Sequence, residues 1–185
     1  MDKYYYLVAS LPLLLFDGDR FISIDAFLQA CREQMPPGEY RFLRDCRLDN
    51  MRPAADLPGV MKKWAQWQNS ATGQLARLRG RRLQREEEPF INGTSADLSL
   101  QEAVKKAFEE KSPLQAEKIL DRAGWQELSR LEQGHYFDLS FLVLYYLKLQ
   151  ILHRQAGFTG ERGKAKFRKI HDRIYDQDQP LENAQ

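Results

Sequence analysis

The feature that most constrains the fold is an uncharged run of nine residues, 139–147, in which Ser140 is the only small polar residue. A helix that is apolar on every side must be surrounded by protein. The run is too short to span a membrane, because Asp138 and Lys148 bracket it and a spanning helix needs about 20 apolar residues. It therefore predicts a packed helical body around a central helix, 135–154, without membrane insertion. The expected core residues of this helix are Leu139, Leu142, Val143, Tyr146 and Leu147.

The composition is typical of a folded chain with a net charge close to zero. Of the 185 residues, 43% are hydrophobic and 29% are charged, and the formal net charge is only +2. A charge this small gives no general case for binding to nucleic acid or to an anionic membrane, so any such case depends on local clusters. The length is that of one domain, or of one domain with a small helical extension, and a single core is the simplest interpretation.

Helical periodicity and capping signals recur from Ser23 to Ile174, which predicts an all-α fold, a multi-helix bundle. The opening segment, 4–16, is ambiguous between a buried helix, an irregular segment and a strand, and Pro12 breaks either regular element. We expect an N-terminal helical part at 1–88, a C-terminal helical part at 95–176 and a flexible tail at 177–185, together forming one compact domain.

Individual helix ends can also be predicted. Ser23 is the expected N-cap of a helix through Met35. The pattern Ser99-x-x-Glu102 and the sequence Ser112-Pro113 predict the starts of two later helices, and Gly124 is the expected end of the second one. Between the first of these helices and the two later ones, the polar segment 60–85 predicts either one kinked helix or two, because glycines interrupt its thin apolar stripe.

The first candidate binding site is an arginine cluster within nine residues, 77–85. These side chains could pair with phosphates of RNA or with an acidic protein surface. They could also be the solvated face of a helix, and the neighbouring glutamates 86–88 offset part of their charge. The candidate residues are Arg77, Arg79, Arg81, Arg82 and Arg85.

A second basic cluster lies at the start of the last predicted helix, where positive charge is unfavourable with the helix dipole unless a negative partner is near. This mismatch favours a protein partner, and the alternative is an exposed basic face on a helix that docks through its apolar side. The candidate residues are Arg162, Lys164, Lys166, Arg168 and Lys169.

Motifs of catalysis or cofactor binding do not occur. The three histidines are widely separated, and Cys31 and Cys46 have no CxxC spacing, which argues against metal sites and fits a reduced cytosolic setting. Phosphate-binding loops and nucleophile elbows are also missing. The opening apolar run lacks a signal peptide's cleavage site. We therefore expect no catalytic residues, no metal, no cofactor and no small-molecule substrate, and an interaction role instead of an enzymatic one.

Two segments, 4–12 (YYYLVASLP) and 144–154 (LYYLKLQILHR), together resemble an uncharacterised bacterial family encoded beside A/V-type ATP synthase genes. The resemblance extends over most of the chain. The second segment is also weakly similar to the tyrosine–lysine helix of the ATPase cap protein that lies between the rotor shaft and the membrane ring.

The resemblance implies a nonenzymatic component or assembly factor of a cytoplasmic-side rotary ATPase, which contacts the ATPase's protein subunits. It also implies a cytoplasmic location, peripheral to the membrane through that complex. The alternative is an RNA-binding protein that uses the cluster at 77–85.

Overall fold

The computed structural model describes residues 3–18, 20–48, 59–83 and 97–158, and within these ranges all regular structure is helical. The predicted all-α fold is therefore confirmed, and the opening segment before Pro12 contains a helix, not a strand. The helices are α1 (Tyr5–Ser10), α2 (Ile24–Gln34), α3 (Pro37–Asp45), α4 (Gly59–Arg82), α5 (Leu98–Glu109), α6 (Pro113–Leu131) and α7 (Leu139–Ala156).

The chain divides into two compact units, Met1–His153 and Arg154–Gln185. Of the second unit, only residues 154–158 are among those described, and α7 ends there at Ala156. The predicted last helix and the predicted tail at 177–185 lie outside the described residues.

Helix α7 is the centre of the main hydrophobic core, and residues 142–149 are all buried along it. Phe27 of α2 stacks against Tyr145 and Tyr146, with ring centroids 5.4 and 5.5 Å apart. The predicted core positions are confirmed except for Leu139, which is only partly buried because it occupies the first turn of α7. The buried residues around α7 come from α1, α2, α3, the first half of α4 and the end of α6.

A second, smaller hydrophobic cluster joins the later half of α4 to α5 and α6. Its buried residues are Ala71, Leu100 and Val104, and Leu75 and Leu120 pack against them. Helix α4 therefore serves two cores in succession along one uninterrupted helix. Of the two predicted alternatives, a single helix is the one observed, because packing at both halves outweighs a propensity cost of about 1 kcal/mol for each glycine.

The prediction that Gly124 ends α6 is wrong, because this glycine lies inside the helix. A Cβ atom at this position would lie 3.3 Å from Cη2 of Trp64 and 3.5 Å from Cη2 of Trp67. The two tryptophan rings stack with centroids 5.0 Å apart. The glycine is therefore a close-approach site that lets α6 lie against the tryptophan pair of α4.

Two predicted N-caps are confirmed. The Ser23 hydroxyl accepts a hydrogen bond from the Ala26 amide at 3.1 Å, and Ser112 caps α6 with Pro113 at its first position. Helix α5 begins one residue before Ser99, and Asp97 is its cap.

Helix α7 also begins later than predicted, at Leu139. A carboxylate oxygen of Asp138 accepts a hydrogen bond from the Phe141 amide at 2.8 Å, and its other oxygen lies 2.6 Å from Nδ1 of His135. This local network holds residues 135–138 in a turn ahead of the helix.

Candidate protein-binding site

The last turns of α4 carry four of the five arginines in the first predicted cluster, and Arg85 lies outside the described residues. Each residue of a helix advances about 100° around the axis, which separates these side chains into two pairs. Arg79 and Arg82 share one face, and Arg77 and Arg81 share another. The cluster is therefore not one continuous basic patch.

Arg79 and Arg82 form one rim of a groove between α4, α5 and α6 with a volume of about 370 Å³. The groove's floor is apolar, and it includes the buried Ala107. Leu83 continues the arginine rim and is 64% exposed, while Glu117 of α6 contributes the only acidic side chain of the groove's described lining. The remaining lining residues are Leu75, Phe108, Ala116 and Leu120.

The two rim arginines lie in different local surroundings. The guanidinium carbon of Arg82 is 5.9 Å from the ring centroid of Phe108, near the outer limit of a cation–π contact. Arg79 is exposed, and among the described residues it has no ion-pair partner. Arg77, by contrast, is half-buried. The charge at the groove is therefore concentrated on two exposed side chains one helical turn apart.

Part of this positive charge has a structural role. Arg79, Arg81 and Arg82 occupy the last turn of α4, where cations interact favourably with the negative end of the helix dipole. A solvated helix end would account for basic residues at these positions, but not for the apolar groove beside Arg79 and Arg82.

The second predicted cluster cannot be placed. Arg162, Lys164, Lys166, Arg168 and Lys169 all lie outside the described residues.

An ion pair between a buried lysine and a partly exposed glutamate at the edge of the main core was not recognised in the sequence. The Lys148 ammonium of α7 donates a hydrogen bond to Glu132, and it lies 5.4 Å from the ring centroid of Trp125. The lysine side chain is only 9% exposed. Its place between Leu147 and Leu149, at the end of the apolar run, was the available signal, since a buried lysine requires a partner.

The tyrosine–lysine segment that carries the resemblance is therefore part of the interior. Tyr145 donates a hydrogen bond to the Pro12 carbonyl at 2.8 Å, and burial raises the pKa of its hydroxyl. Gln150 accepts a hydrogen bond from the Leu48 amide at 3.1 Å and donates one to the Cys46 carbonyl at 2.9 Å. These side chains hold the core together and are not available to a partner.

The cysteines are poor nucleophiles in this setting. Cys31 and Cys46 are buried, and desolvation raises the pKa of each thiol to about 12. Since the thiolate is the reactive form, burial of both thiols disfavours their reaction near neutral pH. Within the described ranges, histidine, cysteine and carboxylate side chains do not gather in groups of three or more that could hold a metal.

Comparison of the chain with protein-family models, with curated proteins and with solved structures gave no match. In the part of the chain that the structure describes, every helix is too short or too polar to cross a membrane.

Proposed function

We propose that this protein is a nonenzymatic component or assembly factor of a cytoplasmic-side A/V-type rotary ATPase complex, and that it acts through contacts with the complex's protein subunits. The observation that carries a protein-binding role is the groove with Arg79 and Arg82 on its rim. The assignment to a rotary ATPase depends on the resemblance of segments 4–12 and 144–154.

The combination of exposed guanidinium groups and an apolar floor supports a protein partner. Arginine is enriched at protein interfaces, where its planar donors pair with carboxylates. Charged rim residues of this kind mainly steer encounter and set salt dependence, while apolar contacts contribute affinity. The groove offers both kinds of contact within one surface.

The arrangement of the arginines supports a protein partner over RNA. A backbone-tracking RNA site needs a positive groove that follows successive phosphates, with aromatic rings on which bases stack. Here the arginines are divided between two faces of α4, and Phe108 is the only aromatic side chain of the groove's described lining.

The test is affinity purification of the tagged full-length protein from native membranes, followed by identification of the co-purifying proteins. We expect ATPase subunits to be recovered with the natural sequence and to be reduced with Arg79→Glu/Arg82→Glu. The matched control is Lys62→Glu/Lys63→Glu, which makes the same charge change at exposed positions near the start of α4. Recovery of RNA without any ATPase subunit would overturn the proposal in favour of the RNA-binding alternative.

A further inference from the structure

We infer that the groove between α4, α5 and α6 binds an acidic amphipathic helix of a partner protein, with two carboxylates one helical turn apart against Arg79 and Arg82. This inference deepens the proposed function, on whose protein-binding role it rests, by naming the kind of segment that the site accepts.

The spacing of the charges favours a helical partner. Arg79 and Arg82 are three residues apart on α4, which separates them by about 4.5 Å along the helix axis. Carboxylates at positions i and i+3 or i+4 of a partner helix have nearly the same separation. Each arginine could then pair with one carboxylate.

The shape of the groove favours a protein segment over an enclosed small molecule. Small-molecule pockets bury about 70–90% of their ligand. Here Arg79, Arg82 and Leu83 on one rim and Glu117 on the other are all exposed, so an occupant would keep one side in solvent. An amphipathic helix laid into an apolar groove has this requirement, because its polar face stays hydrated.

The two rims also fix the partner's orientation. Glu117 would repel a carboxylate placed on the α6 side, whereas the α4 side carries two positive charges. The partner's acidic residues therefore lie toward α4, and its large apolar side chains enter the floor between Phe108 and Leu120. Removing the Glu117 charge should tighten binding, since a like charge beside the occupant is unfavourable.

The test uses a fluorescein-labelled synthetic peptide with leucines at i, i+3 and i+7 and glutamates beside them, and a scrambled peptide of the same composition. Fluorescence anisotropy with the full-length protein should show binding of the ordered peptide. Arg79→Glu/Arg82→Glu should weaken it at least about tenfold, or about 1.4 kcal/mol. Lys62→Glu/Lys63→Glu should change it by less than about twofold, and Glu117→Gln should tighten it.

The neutral variant Arg79→Gln/Arg82→Gln tests the same pair without reversing charge at the α4 terminus, and circular dichroism checks that each variant is folded. Equal binding of the scrambled peptide, or an equal loss with the Lys62 and Lys63 control, would overturn the inference in favour of general charge attraction. Displacement of the peptide by a single-stranded RNA with steep salt dependence would overturn it in favour of a nucleic-acid site. Concentration-dependent self-association that is lost in Arg79→Gln/Arg82→Gln would instead identify a second copy as the occupant.

The two proposals fail separately. If the peptide does not bind but recovery of ATPase subunits still depends on Arg79 and Arg82, the helical occupant is wrong and the proposed function stands. If the peptide binds as described but no ATPase subunit is recovered, the groove assignment stands and the ATPase assignment is wrong.

Discussion

At Gly124 the lack of a side chain determines how closely α6 can approach α4. The Cη2 atoms of Trp64 and Trp67 occupy the space where larger residues would place their side chains. Trp64 is only 2% exposed and stacks on Trp67, so its ring has little room to move. The close approach of the two helices therefore depends on this one residue.

We expect Gly124→Leu to lower the free energy of unfolding by about 1–3 kcal/mol or more, because overpacking a filled site strains its neighbours. Gly80→Ala is the matched control, since a Cβ atom there meets no atom within 4 Å. This control should raise stability by about 0.5–1 kcal/mol through helix propensity. Urea unfolding measures both, and an unchanged midpoint for Gly124→Leu would contradict the close-approach role.

The ion pair of Lys148 and Glu132 is asymmetric. The lysine side chain is 9% exposed and the glutamate side chain is 25% exposed. Removal of the glutamate leaves an ammonium in the core, whereas removal of the lysine leaves a carboxylate that water can reach. Uncompensated buried charge is the larger cost.

Glu132→Gln should therefore destabilise the protein by about 3 kcal/mol or more, in the range measured when one partner of a buried pair is removed. Lys148→Met should cost less, because methionine fills similar volume without a charge. In the double variant, the second change should recover most of the loss caused by Glu132→Gln. Denaturant unfolding of the three variants gives the comparison, and a larger cost for Lys148→Met would contradict it.

At the scale of elements, helix identity could be predicted from the sequence more reliably than helix ends. Ser23 and Ser112 were recognisable as N-caps because each precedes apolar residues at helical spacing. Each lies three residues before the amide that it caps. Gly124 was wrongly predicted to end α6, because a glycine inside a helical pattern resembles a helix stop. The reason for a glycine here is its contact with α4, where Trp67 lies 57 residues earlier in the sequence. Local sequence carries no information about such a tertiary contact.

The start of α5 shows how two neighbouring polar residues can be confused. Asp97 Oδ1 accepts hydrogen bonds from the amides of Ser99 and Leu100 at 3.0 and 3.4 Å, and from the Ser99 hydroxyl at 2.7 Å. These hydrogen bonds, the largest contribution coming from the Ser99 hydroxyl, hold the pKa of the Asp97 carboxyl below its usual range. The serine therefore supports the cap and is not itself the cap.

Asp97→Ala should lower the free energy of unfolding by about 0.5–2 kcal/mol, the usual cost of losing an N-cap. Because a lowered pKa in the folded state means that the charged form stabilises, this contribution should be present near neutral pH and lost as the pH falls through the folded-state pKa. Ser99→Ala, as control, should cost less. Thermal or urea unfolding at neutral and acidic pH tests this, and a larger cost for Ser99→Ala would restore Ser99 as the cap.

At the scale of the whole molecule, the candidate site could be predicted only in part. The arginines of α4 were visible as a cluster, and their division into two pairs follows from helical spacing alone. The groove beside them was not visible, since its floor comes from Ala107 and Phe108 of α5 and from Leu120 of α6. Only the packing of three helices brings these residues to the arginines.

The unequal sizes of the two hydrophobic clusters predict unequal local stability within the first unit. The main cluster contains Leu142 and most of the buried residues of α7, whereas the second has, among the described residues, just Ala71, Leu100 and Val104 at its centre. Segments with few buried apolar contacts open at lower free energy than the core. We therefore expect the amides of α5 to exchange with solvent deuterium faster than those of α7.

Two truncations test this expectation by hydrogen–deuterium exchange with mass spectrometry. Leu142→Ala should lower protection in α7 while protection in α5 changes little, because a buried leucine truncation costs about 2–5 kcal/mol and acts on global unfolding, whereas Leu142 stays buried when α5 opens locally. Leu100→Ala should lower protection in α5 and its neighbours and also in α7, since Leu100 becomes exposed both in the local opening and in global unfolding. Equal loss of protection in α5 and α7 from Leu142→Ala would show that the two clusters unfold as one cooperative unit, so the groove could not open or close independently of the core.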